Sequence, residues 1–431
     1  MNNRYDLIES RLFTENRKRL AAKLDKNSVA VFNANDEFPR NGDSYFTFRQ
    51  NSDLFWLSGI DQEKTILVIC PDATKENMRE ILFVRETSEL LAIWDGYKYT
   101  KEDARKVSGI QTVYWEHEFE KVMRELFIRN QNIYVNINEN IRADIETEYR
   151  DLRMLAELQS RYPAHNYKRL GPIMDELRSV KHSIEVEIMQ QACDITEKAL
   201  RRVLGFVKPG VHEYEIEAEI IHEFIRNRAN GHAYNPIIAS GASSCVLHYN
   251  ANNKVCNAGD ILLMDFGCEY GNYASDLSRT IPVSGRFTER QKNVYNAVLA
   301  VMKHATSLLK PGTVYAEYEK EVGRFMEGQL IDLGLIDKHD VAKQNPAEPL
   351  YKKYFMHGTS HFLGLDVHDV GNRDLAMKAG HVFTCEPGIY IPEENLGIRI
   401  ENDILLTEHG NIDLMANIPR EADEIETLMN A

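Results

Sequence analysis

The sequence predicts a protein of the mixed α/β (α+β) class, in which an N-terminal α/β domain precedes a larger domain built from an internal repeat. The chain has 431 residues, which exceeds the length that one hydrophobic core usually serves. Its first third alternates short apolar runs with charged segments of helical spacing. Its C-terminal part contains two pairs of similar segments in the same order.

The first domain, residues 1–172, is predicted to contain a central mixed sheet. Short apolar runs bounded by turn residues are typical of buried strands, and here they occupy residues 29–32, 65–69 and 80–84. Residues 116–129 have the charged, periodic pattern of a helix. A Gly-Pro pair at residues 171–172 interrupts the chain before a long helical segment, so we place the domain boundary there.

The second domain, residues 173–431, carries the internal repeat. A Lys-Pro-Gly triplet that ends a helical segment occurs at residues 208–210 and again at residues 310–312. Residues 258–267 are matched by residues 379–388, and in both copies an acid ends an apolar strand six positions after the glycine. Because two different segments recur in the same order, we predict two helix–helix–hairpin halves related by a pseudo-twofold axis.

Charge and cysteine content restrict the partners and the compartment. Lys and Arg number 51 and Asp and Glu number 66, and the resulting net charge of −15 disfavours nucleic acid and anionic membranes. The N-terminus has no apolar core of signal-peptide length, and no apolar run is long enough to span a bilayer. The six cysteines show no paired C-x-x-C spacing. This pattern is typical of reduced thiols in a cytoplasmic protein and not of a disulfide framework. We therefore expect a cytoplasmic protein without nucleic-acid or membrane partners.

Two aspartates are predicted to meet across the first hairpin of the repeat. Asp265 ends an apolar strand, and residues 273–280 have the pattern of the returning strand. With the loop centred on the 270–271 bond, Asp276 would lie directly opposite Asp265, with Cβ atoms roughly 5 Å apart. Carboxylates at that distance repel each other unless a cation lies between them. A pair of divalent ions roughly 3.5–4 Å apart fits such a gap.

The second hairpin repeats this arrangement with two glutamates. Glu386 and Glu401 flank a loop centred on the 393–394 bond, so they can oppose each other. Arg399, Glu401 and Asp403 share one face of the returning strand because side chains alternate along a strand. Acids placed within apolar strands are costly to bury without a partner. We therefore expect the four acids to converge if the two halves face each other.

Residues 357–369, between the hairpins, mix glycine and histidine with apolar residues, and this composition favours a segment that lines a pocket. A site rich in carboxylate oxygens with one imidazole suits manganese, iron, cobalt or zinc rather than a thiolate-bound structural zinc. The sequence is compatible with two roles for His248, His357 and His368, substrate binding or a purely structural role, because the two kinds of histidine look alike in sequence.

At these residues the sequence resembles the Xaa-Pro aminopeptidases (aminopeptidase P) of the pita-bread metallopeptidase family. The family pattern has two aspartates eleven residues apart, the second within D-x-x-R-T, then H-G-x-S-H-x-L-G-L-D-V-H-D, E-P-G and R-x-E. The matching positions here are Asp265 and residues 276–280, 357–369, 386–388 and 399–401. Residues 49–59 also resemble a signature of that family's N-terminal domain. The resemblance implies a pita-bread fold for residues 173–431.

The resemblance also implies a site for two divalent metal ions. The implied ligands are Asp265, Asp276, His361, Glu386 and Glu401. By the same resemblance, Asp276 and Glu401 would bridge the two ions. Manganese is the metal we expect, with cobalt, iron and zinc as alternatives.

Residues around the metals receive roles from the same resemblance. His248 and His368 would hydrogen-bond the substrate and the developing oxyanion, and His357 would line the same pocket. Arg399 would orient the metal-bound Glu401.

The implied chemistry is hydrolysis by a hydroxide that bridges the two metals. Glu386 would take the proton of this nucleophile and pass it to the leaving nitrogen. Tyr234, His357 and Tyr390 are candidate walls for a proline ring, because they lie near the motifs.

The expected reaction is release of the N-terminal residue from peptides whose second residue is proline. Prolidase is an alternative, since it uses the same five ligands on Xaa-Pro dipeptides, although Ser360 and residues 49–59 favour the aminopeptidase. A non-catalytic pita-bread module that binds peptides is the alternative of another class, and the intact ligand set argues against it. The resemblance further implies a homodimer or homotetramer. Trp94, beside a turn, would either contact a neighbouring subunit or lie in the core.

Overall fold

The computed structural model describes residues 4–143 and 145–431. Residues 1–3 and 144, which belong to the predicted first domain, lie outside this description. The chain forms two compact units, the first ending at Arg178 and the second beginning at Ser179. Across the described ranges, no helix combines the length and the apolar character that crossing a membrane requires.

The first unit is built around one six-stranded sheet and also contains a separate pair of short strands, so it has eight strands among its described residues. Its strands are Ser28–Asn33 (β1), Pro39–Asn41 (β2), Ser44–Tyr45 (β3), Ile66–Ile69 (β4), Glu80–Val84 (β5), Thr112–Trp115 (β6), Asn132–Val135 (β7) and Asn166–Arg169 (β8). Its helices are Ser10–Ala21 (α1), Ser52–Ser58 (α2), Glu89–Asp95 (α3), Lys101–Ser108 (α4), Phe119–Arg129 (α5) and Arg150–Arg161 (α6), and Gly171–Ser179 (α7) runs to the unit boundary.

The sheet of the first unit is mixed, as predicted. Its strand order is β6-β5-β4-β1-β7-β8, and β4 runs antiparallel to β1 and β5 while the remaining pairs are parallel. The three apolar runs form β1, β4 and β5, and their side chains are almost entirely buried. The helix predicted over residues 116–129 begins at Phe119, because Glu116–Glu118 form a 3-10 turn in which Glu118 accepts the Trp115 N–H.

The second unit contains six helices and eleven strands among its residues. The helices are Ser183–Phe206 (α8), Glu213–Arg226 (α9), Glu289–Leu308 (α10), Tyr315–Asp332 (α11), Lys338–Val341 (α12) and Ala422–Met429 (α13). The strands are Gly231–His232 (β9), Ile237–Ser240 (β10), Ile261–Phe266 (β11), Cys268–Tyr270 (β12), Tyr273–Ala274 (β13), Leu277–Pro282 (β14), Val382–Cys385 (β15), Gly388–Ile391 (β16), Leu396–Arg399 (β17), Asn402–Thr407 (β18) and Gly410–Asp413 (β19).

The internal repeat is visible in the backbone of the second unit. Helices α8 and α9 precede the first hairpin, and α10 and α11 precede the second. The turns after α8 and α10 contain Gly210 and Gly312, whose φ angles of +97° and +90° favour glycine. The Gly210 N–H donates to the Cys256 carbonyl at 2.9 Å. The Gly312 N–H donates to the Met377 carbonyl, also at 2.9 Å. The two halves therefore have equivalent turns with equivalent backbone contacts.

The first hairpin has a different register from the predicted one. Asp265 of β11 pairs with Ser278 of β14, so the prediction that Asp276 lies directly opposite was wrong by two positions. Gly271 and Asn272 have φ angles of +57° and +66°, so both lie inside a two-residue turn. Moving the loop centre by one residue shifts every partner by two, and a shift of two keeps Asp276 on the same face as Asp265.

The second hairpin has the predicted register. Strands β16 and β17 pair Gly388 with Arg399, and β15 and β18 pair Cys385 with Asn402. Glu386 and Glu401 lie between these two ladders, where strand pairing is interrupted on both sides. The second hairpin therefore presents its acids at a break in the sheet, and in the first hairpin Asp276 lies at a similar break between β13 and β14.

Candidate metal centre

The two hairpins of the second unit bring their acids to one buried cluster. Asp276 from the first hairpin, Glu401 from the second and His361 from the segment between them each offer a ligand atom, and these atoms lie within 4.8 Å of one another. All three residues are buried. Carboxylate oxygens and an imidazole at such spacing can hold a divalent cation.

Asp265 and Glu386 extend this cluster on its two sides. The Tyr234 hydroxyl lies 2.6 Å from Asp265 Oδ1 and also contacts Asp276 Oδ1, so the two aspartates share one donor. On the other side, His361 Nε2 lies 3.4 Å from Asp276 Oδ2 and 3.6 Å from Glu386 Oε1. Together with Glu401, all five residues predicted as ligands are within one connected group.

The imidazole of His361 is held in the orientation that a metal ligand needs. Its Nδ1 lies 2.9 Å from the Phe362 carbonyl, and a carbonyl only accepts, so Nδ1 carries the proton. The unprotonated Nε2 therefore faces the carboxylates, and such a backbone contact fixes both the tautomer and the ring plane.

The electrostatics of the cluster are unfavourable for ionised carboxylates alone. Burial raises the pKa of Asp276 and Glu401 well above the usual range, and the neighbouring carboxylates raise it further. Burial also raises the pKa of Glu386, to about 7. A divalent cation would reverse these shifts because it favours the ionised form of every carboxylate that it contacts.

The carboxylate of Glu401 fits a metal-binding role directly. Its Oε2 accepts a hydrogen bond from Ser278 Oγ at 2.7 Å. Its Oε1 is buried and has no hydrogen-bond partner among residues 4–143 and 145–431. An unpartnered buried oxygen is costly unless something else coordinates it, so the residues present suit a cation bound among these acids.

Arg399 contacts a different acid from the one expected. The sequence analysis directed it to Glu401, but Nη2 forms an ion pair with Asp265 Oδ2 at 2.6 Å. Nε donates to Ser278 Oγ at 2.8 Å, and that hydroxyl then donates to Glu401. Arg399 therefore reaches Glu401 through Ser278, and its expected role in orienting that carboxylate stays a prediction.

His357 belongs to a hydrogen-bonded chain that begins at Arg399. Arg399 Nη1 donates to the Tyr390 hydroxyl at 2.8 Å, and this hydroxyl lies 2.8 Å from His357 Nε2. Burial, together with the positive charge of Arg399, lowers the pKa of His357 to about 3. His357 is thus neutral at physiological pH, with Nδ1 4.0 Å from Glu386 Oε2.

The other two predicted histidines lie at the exposed side of the cluster. The His368 ring packs edge-on against the ring of the candidate ligand His361, with centroids 4.6 Å apart. His248 is exposed on the segment between β10 and β11 and lies close enough to His357 to affect its pKa. Both positions allow contact with a substrate that approaches the acids from solvent.

The hydroxyls of Tyr234 and Tyr390, two candidate walls for a proline ring, both take part in hydrogen bonds around the cluster. The hydroxyl of Tyr234 is bound to two candidate ligands, and that of Tyr390 lies between Arg399 and His357. Gly267 allows this packing, because a Cβ there would lie 1.7 Å from the Ser275 carbonyl and 3.0 Å from the Tyr234 ring.

Two further residues around the acids received no role in the sequence analysis. Ser278 links Arg399 to Glu401, and its position two residues after Asp276 could have indicated that it shares that face. Asp403 is fully buried, and its Oδ2 accepts the Asp276 N–H at 3.1 Å. Its placement on the same strand face as Arg399 and Glu401 was predicted, but its contact with the other hairpin had no signal in the sequence.

Comparison with known proteins finds one family match in each of the two units of the chain. Residues 187–408 match metallopeptidase family M24, and residues 13–134 match the N-terminal domain of aminopeptidase P. The chain is similar to the Xaa-Pro aminopeptidase of Haemophilus influenzae, with 34% identity covering 97% of both chains. It is similar to the Xaa-Pro aminopeptidase of Escherichia coli, with 35% identity over 98% of both chains.

A solved structure shows the same fold. It is that of E. coli aminopeptidase P with the inhibitor Pro-Leu, which matches with a TM-score of 0.87, 33% identity and coverage of 99% of both chains. The similarity therefore spans both units and includes the cluster of acids.

Proposed function

This chain belongs to metallopeptidase family M24 and carries the N-terminal domain of aminopeptidase P, and from this premise we propose that it cleaves peptides before a proline at their second position. Its C-terminal unit has the pita-bread fold, and the chain is a metal-dependent aminopeptidase, hence a hydrolase. One observation carries the proposal for the site: four carboxylates and one imidazole form a single buried group at the meeting point of the two hairpins.

We propose that this group holds two divalent ions, with manganese as the expected metal and cobalt, iron or zinc as alternatives. Asp276 has the central position, because one oxygen is on the side of Asp265 and the other faces His361. Glu401 has one oxygen, Oε1, without a hydrogen-bond partner in the part of the chain that the structure describes. These positions support bridging roles for Asp276 and Glu401 and terminal roles for the remaining ligands.

When bound, the ions would supply an activated water at neutral pH and polarise the scissile carbonyl. The protein supplies the proton transfers. Glu386 lies at the edge of the acid cluster, with Oε1 3.6 Å from His361 Nε2. A carboxylate beside the attacking water can accept its proton and return it to the leaving nitrogen. The nitrogen of a proline must be protonated to leave as a secondary amine.

We propose that His248 and His368 bind the substrate. Both are exposed beside the acids, and imidazole N–H groups can donate to a carbonyl oxygen that becomes negative in the transition state. His357 is held neutral and fixed by the Tyr390 hydroxyl. It would line the pocket next to Glu386 without adding charge.

The proline preference is supported by the names of the three relatives described above, which are Xaa-Pro aminopeptidases or aminopeptidase P. Proline has no backbone N–H and a fixed φ, so ordinary aminopeptidases cleave poorly before it. The inhibitor Pro-Leu of the E. coli enzyme has proline at its N-terminus. For this chain, that supports a site that accepts residues beyond the proline.

We further propose a cytoplasmic homodimer or homotetramer in which the first unit contributes to a neighbour's substrate site. Trp94 lies on α3 and is 83% exposed to solvent, so it is not a core residue. Leu90 and Ile93 on the same helix are also exposed, at 67% and 77%. Three large apolar side chains on one short helix are typical of a surface that another protein covers.

The experiment that tests the substrate compares three peptide sets with the same N-terminal residue. Xaa-Pro-Xaa tripeptides should be cleaved faster than Xaa-Pro dipeptides and faster than Xaa-Ala-Xaa tripeptides. Faster cleavage of dipeptides would instead indicate a prolidase. Faster cleavage of Xaa-Ala-Xaa would reject the proline preference while leaving the metal site intact, and no cleavage of any set would favour a binding module.

A further inference from the structure

Glu213, at the start of α9, is a fully buried carboxylate that contacts no candidate metal ligand. Its Oε1 accepts the backbone N–H of Ser240 at 2.8 Å. Its Oε2 accepts the Tyr249 hydroxyl at 2.7 Å and the Lys254 backbone N–H at 2.9 Å. One side chain therefore ties a helix to both ends of the segment that connects β10 and β11.

That segment carries His248. The neighbours of His248, Leu247 and Tyr249, pack against a buried apolar cluster. The members of this cluster are Ile237, Ala239, Leu263 and Tyr390. Because its two neighbours face inward, the intervening His248 faces outward, where it is exposed and close to His357. The direction of His248 thus depends on how firmly the residues beside it are held.

Other side-chain contacts also hold this segment, among them a hydrogen bond of 2.9 Å from Asn252 Nδ2 to Glu217 of α9. Asn252 accepts the Ile238 N–H at 3.0 Å, and Lys254 Nζ lies 2.6 Å from Ser243 Oγ. Of the three groups that Glu213 binds, the Tyr249 hydroxyl is the nearest in sequence to His248. A buried carboxylate needs several donors to offset its desolvation, and these three donors need an acceptor in turn. The position at a helix N-terminus further favours a negative charge.

We propose that Glu213 is a positioning residue that fixes the imidazole of His248 towards the substrate. This inference rests on the proposed substrate-binding role of His248. Without the carboxylate, the N–H groups of Ser240 and Lys254 and the Tyr249 hydroxyl would lose their acceptor, while Asn252 keeps its bond to Glu217 of α9. Misplacement of a substrate-binding group by about 1 Å can lower catalysis by up to about 100-fold. The effect should fall on kcat/KM, because the histidine contact strengthens in the transition state.

The test is a double-mutant cycle with Glu213→Gln and His248→Ala, measured on an Xaa-Pro-Xaa tripeptide with the manganese-loaded enzyme. Glutamine keeps the shape of the side chain but places an amide NH2 against donors. We expect Glu213→Gln to lower kcat/KM about 10- to 100-fold with unchanged metal content. In the His248→Ala background, the same substitution should change kcat/KM less than about twofold, because the group it positions is already absent.

A matched control separates positioning from general loss of structure. Glu426 is another carboxylate of the second unit that accepts a loop N–H, that of Phe287 at 3.0 Å, and Glu426→Gln should leave kcat/KM unchanged. If Glu213→Gln does not fold, Tyr249→Phe removes one of the three bonds and should lower kcat/KM several-fold, again only when His248 is present.

The outcomes distinguish this inference from the proposed function. Equal effects of Glu213→Gln with and without His248 would overturn the positioning role while leaving His248 as a substrate-binding residue. A His248→Ala variant with wild-type kcat/KM would overturn the proposed role of His248, and the positioning role with it. A Glu213→Gln variant that folds, binds metal and retains wild-type activity would also overturn the inference.

Discussion

Arg399 forms an ion pair with Asp265, with 2.6 Å between Nη2 and Oδ2, although the two residues are 134 positions apart. Asp265 belongs to the first hairpin of the repeat and Arg399 to the second. Both side chains are largely buried, at 5% and 16% exposure. The guanidinium thus joins the two halves at the point where their acids meet, and it brings a positive charge into direct contact with a candidate ligand.

Replacing Arg399 with lysine should weaken the metal centre. Lysine keeps the charge but loses the planar fork that reaches Asp265, Ser278 and Tyr390 at once. We expect Arg399→Lys to lower metal affinity and kcat/KM about 10- to 100-fold, the usual effect of losing a residue that orients ligands. Metal analysis after dialysis and kinetics on an Xaa-Pro-Xaa peptide measure both quantities.

An exposed arginine of the same unit provides the control for this substitution. Arg290 pairs with Glu394 at 2.7 Å, and both side chains are more than one third exposed. Such pairs contribute little, so Arg290→Lys should leave metal affinity and kcat/KM unchanged. Wild-type behaviour of Arg399→Lys in both measurements would show that the buried ion pair does not organise the ligands.

His368→Ala should lower kcat/KM by about 10²- to 10⁴-fold while the protein keeps its metal. The reason is that His361, and not His368, lies within the group of acids, whereas His368 is exposed beside it. His361→Ala should instead lose metal. If metal analysis finds the loss in His368→Ala and not in His361→Ala, the roles of the two histidines must be exchanged.

How much of this arrangement follows from sequence can be judged at the two hairpins. The turn of the second hairpin was placed correctly, so the opposition of Glu386 and Glu401 followed from counting residues. In the first hairpin the same counting erred, because which two residues adopt positive φ in a Tyr-Gly-Asn stretch depends on backbone geometry. The face of each acid was still correct, since alternation is insensitive to a shift of two.

Contacts between distant segments could not be predicted in the same way. No periodic pattern links Arg399 to Asp265, or Tyr234 to the two aspartates, because these pairs depend on how the halves of the repeat pack. The exposure of Trp94 likewise depends on tertiary packing, and its sequence context allowed either interpretation.

The metal-free protein should become less stable as the pH rises. Burial raises the pKa of Glu386 to about 7 from an ordinary value of about 4.5. Between these values the folded state binds more protons than the unfolded state, so the free energy of unfolding falls with rising pH. Thermal unfolding of chelated protein across this range should show a falling Tm, and manganese should reverse the fall.

The variant Glu386→Gln isolates this contribution. Glutamine cannot ionise, so this contribution to the fall in Tm is absent from the variant. The Tm of metal-free Glu386→Gln minus that of the metal-free wild type should therefore increase as the pH rises. A constant difference between about pH 4.5 and 7 would mean that Glu386 has no raised pKa in the folded protein.

Trp94→Ser should shift the assembly to smaller species. The side chain is 83% exposed on α3, and transferring it into an interface would bury a large apolar area. Light scattering should find an oligomer for the wild type and a smaller particle for the variant, with reduced kcat/KM if the first unit completes a neighbour's site. A monomeric wild type with full activity would reject the shared site.

The central claim is that the buried acids act by holding two divalent ions. The most direct measurement is a titration of manganese into exhaustively metal-free protein, with bound metal and activity on an Xaa-Pro-Xaa peptide recorded together. We expect no activity without metal, recovery as two ions bind per chain, and neither binding nor recovery in Asp276→Asn or Glu401→Gln. Full activity of the metal-free wild type, or full metal binding by both variants, would contradict the claim.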